Sequence, residues 1–178
     1  MEHELRKGST SIHASAVAVG DRAVLIRGPS GAGKSRLAFD LILAGRAGQM
    51  PQATLLGDDR VHVEPTAGKL VIRPAPALAG LIEIHGLGIR RCAFMAEAIV
   101  GLVVDLAAAD AERMPPPEAL WASIEGILIP RIPIQQGFEA LPLVIAALTT
   151  AANSSAEAPS SDCSKGFGNH ISPTIASK

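Results

Sequence analysis

The residues with the clearest chemistry are Gly28-Pro29-Ser30-Gly31-Ala32-Gly33-Lys34-Ser35, which fit the pattern G-x-x-x-x-G-K-[ST]. Glycines at this spacing let the backbone curl so that successive N–H groups point inward at phosphate oxygens. Lys34 brings a point charge to the β- and γ-phosphates of a nucleotide, and Ser35 offers a hydroxyl to Mg²⁺. A helix starting here turns its positive end toward the same anion. The flanking elements suit this task. Ala23-Val24-Leu25-Ile26 is a continuous apolar run, the mark of a buried strand. Ser35 to Ala44 then carries Leu37, Ala38, Leu41 and Ile42 at helical spacing, and Gly45 ends the run. This strand–loop–helix frame separates the match from a chance Gly/Ser-rich turn and implies an ATP-binding phosphotransferase.

Two further acidic positions need a reading. Ala53-Thr54-Leu55-Leu56 is a short buried strand that runs into Gly57-Asp58-Asp59. Ligands of such sheets lie off the carboxyl ends of parallel strands. A carboxylate there can hold Mg²⁺ or accept the proton of an attacking hydroxyl. Neighbouring strand residues point to opposite sides, so the two aspartates need not share a role. Alone, the pair also reads as a polar strand terminus. Glu83 lies in Leu81-Ile82-Glu83-Ile84-His85-Gly86-Leu87-Gly88-Ile89, surrounded by apolar residues. It is either buried, and then needs a cation, a metal or hydrogen bonds, or it faces solvent from an alternating strand.

The remaining pattern predicts an α/β fold. Ile12 to Val19 reads as a strand joined by Gly20-Asp21 to the next, and Gly48 to Gln52 as a loop. Val61 to Glu64 and Leu70 to Arg73 read as a β-pair, and Val100 to Leu106 as a strong strand. Pro115-Pro116-Pro117 predicts the start of a helix from Glu118 to Glu125. Ile127 to Ile134, interrupted by Pro130 and Pro133, reads as an edge strand, and Leu141 to Thr150 as a helix. The domain expectation is a polar lead-in over 1–10, one catalytic domain over 11–150, and a disordered Ser/Ala-rich tail over 151–178.

Composition narrows the function. A formal net charge of -1, four Phe, one Trp and no Tyr argue against nucleic-acid partners. The apolar runs are too short to span a bilayer, and Met1-Glu2-His3-Glu4-Leu5-Arg6 lacks the apolar stretch of a signal peptide. Cys92 and Cys163, far apart and without metal spacing, read as reduced thiols, and the expected location is cytoplasmic.

Ser11-Ile12-His13, the Gly28–Ser35 loop, Asp58-Asp59-Arg60-Val61 and Ile82-Glu83-Ile84-His85-Gly86-Leu87-Gly88-Ile89 together resemble the HPr kinase/phosphorylase family, over roughly residues 9 to 145. The last motif is the most specific, since ordinary P-loop kinases lack it. The resemblance implies a P-loop kinase core of the HPr kinase/PEP carboxykinase-like type, with a mixed central sheet and flanking helices. It implies ATP-dependent phosphorylation of a serine in HPr, the phosphocarrier of the bacterial phosphotransferase system, and assembly as a homo-hexamer. It assigns Lys34 to the nucleotide phosphates, Ser35 and Glu83 to Mg²⁺, and Asp59 to the serine proton with Asp58 beside it. His13, which alone reads as a structural histidine, matches an active-site histidine, and Arg113 falls where the family has an active-site arginine.

Four departures matter. The chain begins near the kinase core, as in short members of the family. His85 replaces the arginine of the pattern Leu-Glu-Ile-Arg-Gly-Leu-Gly-Ile. Pro133-Ile134-Gln135-Gln136-Gly137-Phe138 stands where the family has Pro-Val-Arg-Pro-Gly-Arg, so a second phosphate loses its cations and phosphorylase activity is expected to be weak or absent. The Ser/Ala-rich end replaces a basic helix. A small-molecule kinase and a non-catalytic ATP-sensing module are the competing readings. A GTPase is disfavoured because the only asparagines are Asn153 and Asn169.

Overall fold

The apolar run before the glycine loop is β3 (Arg22–Arg27), and both its faces are covered. In the computed structural model, which describes residues 9–151, it lies inside a mixed nine-stranded sheet. Val24 and Ile26 point to one core, and Ala23 and Leu25 to the other. Burial on both sides is why the run does not alternate with polar residues.

Strands β1 (Thr10–Ile12), β2 (Ser15–Val19), β4 (Ala53–Gly57), β5 (Val61–Thr66), β6 (Lys69–Pro74) and β9 (Ala98–Leu106) complete the main path of the sheet. Its order is β1-β5-β6-β9-β3-β2-β4. β11 (Ile127–Ile134) adds to β9 in parallel through Arg131–Ile134, while Ile127–Pro130 pair antiparallel with β10 (Trp121–Ile124). β3 runs parallel to β9, and β2 is antiparallel to both β3 and β4. Hence β3, β4, β9 and β11 all end at the same rim of the sheet.

Helix α1 (Lys34–Arg46) lays Leu37, Ala38, Leu41 and Ile42 on one face of this sheet, as their helical spacing predicts. Val144 of α2 (Ala140–Thr149) joins that core. On the opposite face, Val61, Val63, Leu70 and Ile72 pack over the small side chains Ala16, Ala18 and Ala23. A separate hairpin, β7 (Leu81–Ile84) with β8 (Gly88–Arg91), sits against α1.

Two expectations are corrected. Ile12 to Val19 is not one strand: the chain breaks at His13-Ala14, and β1 pairs with β5 while β2 pairs with β3 and β4. The helix predicted over Glu118 to Glu125 is a single 3₁₀ turn, Pro117–Leu120, followed by β10. Ala122 and Ile124 are buried and Ser123 is exposed, a period of two that overrides the proline signal. β10 turns into β11 through Glu125-Gly126, whose φ values of 51° and 75° suit a two-residue hairpin turn. This turn and Gly20-Asp21 lie at the rim opposite the strand ends named above. Most of the region read as a tail lies outside the described residues.

Candidate active site

The glycine loop starts where β3 ends, and close packing dictates its first residue. Gly28 has φ 148°, and a Cβ there would come within 2.9 Å of the Leu106 carbonyl oxygen at the end of β9. Only glycine fits. Lys34 follows at the first turn of α1. It is 7% exposed, and its Nζ donates to the carbonyl oxygens of Gly28 at 3.0 Å and Pro29 at 3.1 Å. The ammonium thus spans the inside of the loop, paired with no carboxylate among the described residues.

The two aspartates after β4 separate into different environments. Asp58 is 4% exposed and faces inward. Its Oδ1 accepts from Ser15 Oγ at 2.5 Å and from Ser35 Oγ at 2.8 Å, and its Oδ2 accepts from the Glu83 backbone N–H at 3.0 Å. One side chain therefore joins β2, α1 and β7. Asp59, at φ 63°, turns outward, and its Oδ1 lies 3.2 Å from His13 Nδ1. Both partners are open to solvent, with side-chain exposures of 48% for His13 and 66% for Asp59. The break between β1 and β2 is what delivers His13 to this position.

Other predicted residues are placed less tightly. Glu83 puts its backbone on Asp58, but its own side chain is exposed on β7. Arg113 is exposed in the loop after β9 and pairs with no carboxylate among the described residues. No group of three or more His, Cys, Asp or Glu residues able to hold a metal occurs among the described residues. Ser35 and Asp58 nonetheless form an oxygen donor pair of the kind that suits Mg²⁺, which keeps several waters and takes few protein ligands. Cys92 is partly buried, which pushes its thiol up in pKa despite Arg46 nearby. It does not resemble a reactive thiolate.

An ion cluster behind the loop joins residues that no local motif connects. Asp105 of β9 accepts two hydrogen bonds from Arg27 at 2.7 Å and one from Arg131 Nε at 2.5 Å. Arg131 also clamps Asp110 at 2.7 and 2.9 Å and donates to the Ala119 carbonyl oxygen at 2.8 Å. The cluster ties the residue before Gly28 to the loop that carries Arg113. Burial pushes the Asp105 carboxyl up, but hydrogen bonds from Arg27 and Arg131 outweigh it and hold the group below its ordinary value. Asp110 holds Arg131 charged more firmly than usual, against burial, with help from Asp105.

Asp105→Asn should therefore lower stability near neutrality by about 3 kcal/mol, as expected for breaking a half-buried ion cluster. Since the folded carboxyl is depressed, the contribution is present above the ordinary value of 3.8 and is lost as pH falls through the folded value. Urea midpoints of both proteins, taken from pH 7 downward, check this. Equal midpoints at pH 7 would remove the cluster from the stability account.

A pocket of about 400 Å³ opens beside the glycine loop, between the end of β9 and the turn after β11. The loop, the inward aspartate, the outward His–Asp pair and this pocket together form the candidate site at the strand ends. Residues 5–161 match the HPr Serine kinase C-terminal domain family. The chain belongs to this family. A curated relative, the HPr kinase/phosphorylase of Mycoplasma mycoides subsp. mycoides SC, is 39% identical over 77 residues, which are 43% of this chain and 22% of that protein. The chain thus matches about a fifth of that relative's length. The solved structure of the Hpr(Ser) kinase/phosphatase from Coxiella burnetii is similar at TM-score 0.62 and 26% identity, covering 78% of this chain and 93% of that one. Membership in an enzyme family that uses ATP agrees with the mixed sheet and with a glycine loop placed at its strand ends. No helix among the described residues is long and apolar enough to cross a membrane.

Proposed function

We propose that this chain is an ATP-dependent serine kinase acting on the phosphocarrier HPr, with weak or absent phosphorylase activity. The observation that carries the reading is the division of the aspartates: Asp58 locked to the loop serine, Asp59 exposed beside His13. One carboxylate is placed to serve the nucleotide end and the other to meet an incoming hydroxyl.

In this reading the amides of Gly31 to Ser35 and the Lys34 ammonium hold the ATP phosphates. Ser35 and Asp58 would hold Mg²⁺, with Glu83 at the margin, and the ion would neutralise charge on the phosphates. The serine oxygen of HPr forms a bond to the γ-phosphorus as the bond to the β-phosphate oxygen breaks, releasing ADP. Asp59 receives the serine proton, and His13 orients its carboxylate. Arg113 sits on a loop braced through Asp110 and is assigned to charge on the transferring group. The same reading carries the HPr kinase/PEP carboxykinase-like fold type, a cytoplasmic location and a hexameric assembly.

The test is transfer from ATP labelled in its γ-phosphate to purified HPr with Mg²⁺, read by intact mass and site mapping. A single phosphate on one serine is the expected result. Tight ATP binding without transfer would instead favour a nucleotide-sensing module. Phosphorylated HPr mixed with inorganic phosphate should yield little pyrophosphate, because Gln135 and Gln136 replace cations in the turn after β11. Brisk pyrophosphate release would overturn that part.

A further inference from the structure

We propose that the uncharged pocket beside the glycine loop is a nucleobase subsite, which takes the purine and ribose of the nucleotide whose phosphates occupy residues 28–35. The inference rests on the ATP reading above and adds where the neutral half of that molecule goes.

The pocket shares Pro29 to Ala32 with the loop, so a ligand seated by its phosphates extends into it without a gap. Its volume of about 400 Å³ lies within the range of small-molecule sites, roughly 300–1,000 Å³. Among the described residues, none that lines it is charged. A second phosphate or a carboxylate would find no cation there, whereas a flat neutral ring loses nothing by entering. Leu106, Ala107 and Ile134 make an apolar wall. Phe138 is 65% exposed and lines the pocket, and its aromatic ring is a surface on which a base can stack. The amides of Gln135 and Gln136 each supply two N–H donors and an acceptor, enough to meet the ring nitrogens and exocyclic group of a purine.

The walls are braced together. The Phe138 N–H donates to the Gln135 carbonyl oxygen at 3.1 Å, closing the turn after β11. The Ala108 N–H donates to the Ile134 carbonyl oxygen at 2.9 Å, joining that strand to the segment after β9. Phosphates on one side of Pro29–Ala32 and a base on the other would divide the nucleotide between a charged half-site and a neutral one.

Calorimetry on the full chain with Mg²⁺ separates the two halves, using ATP and inorganic triphosphate as ligands. ATP should bind at least about tenfold more tightly than triphosphate. Phe138→Ala should weaken ATP by about tenfold and leave triphosphate unchanged, as loss of one stacking face requires. Gln136→Ala should weaken ATP less and alter the preference between ATP and GTP. Both side chains are exposed, so neither change threatens the fold. Equal affinities for ATP and triphosphate, or unchanged ATP affinity in both variants, would overturn the subsite while leaving the phosphate loop standing. Failure of both ligands to bind would overturn the ATP reading and the subsite with it.

Discussion

Lys34→Ala should abolish ATP-dependent transfer, lowering its rate by about 10³-fold or more, some 4 kcal/mol of barrier. The reason lies in how the ammonium is housed. It is nearly buried and, among the described residues, is compensated only by two carbonyl dipoles, those of Gly28 and Pro29. A cation kept from water and given no carboxylate is held ready for an anion inside the loop. In a site shielded from water, its attraction for developing charge on phosphate oxygens is far larger than it would be in bulk solvent. Single-turnover transfer, with the melting curve of each protein as a folding control, measures the effect. Lys34→Met, which keeps the aliphatic stem against the loop, should lose transfer equally. Transfer above a tenth of wild type in a folded variant would mean that the backbone amides alone carry the phosphates.

Asp59→Asn should cut transfer by about 10²- to 10⁴-fold, the range for losing a positioned proton acceptor, while ATP affinity stays unchanged. The substitution is clean on structural grounds. Asp59 has φ 63°, and asparagine tolerates this left-handed region better than almost any other residue with a side chain. The amide oxygen can still meet His13, so the pair persists as a hydrogen bond and only proton acceptance is lost. Asp58→Asn should behave differently. An amide here can offer its oxygen to the fixed Glu83 N–H only by turning its NH2 toward Ser15 and Ser35, whose hydroxyls must then rotate to accept, so the links to β2, α1 and β7 all change together. Measuring KM for ATP and kcat for both variants separates the roles. An equal fall in ATP affinity for Asp59→Asn would show that this residue serves the nucleotide and not the acceptor.

The frame around the loop was legible because local and global signals agreed. Residues 23–26 are apolar without alternation, the glycine pattern follows at once, and the next ten residues repeat at helical spacing. What failed did so for nameable reasons. Three prolines promise a helix start, but they launched only one turn, and the register of Trp121 to Ile124 was already that of a strand. Glu125-Gly126 was the turn signal that would have exposed the error. The joint at His13-Ala14 could not be read, since both sides of it favour extended chain.

A buried carboxylate among apolar residues needs a partner, but the Glu83 side chain is exposed and needs none. Asp105, in Leu102-Val103-Val104-Asp105-Leu106, is the carboxylate that has this need, and two arginines meet it. Which arginines they are follows from strand order, and strand order is not written in local spacing. The same holds for the aspartate pair. Its presence at a strand end was readable, but the assignment of Asp58 to Ser35 and of Asp59 to His13 depends on how β1, β2 and α1 converge.

The hairpin turns at Gly20-Asp21 and Glu125-Gly126 leave the far rim of the sheet free of every residue assigned to chemistry. That rim is a handle. A fluorophore carried at Asp21, or a short anchoring peptide inserted beside Gly126, would hold the protein on a bead or a sensor surface with its nucleotide-binding face turned toward solution.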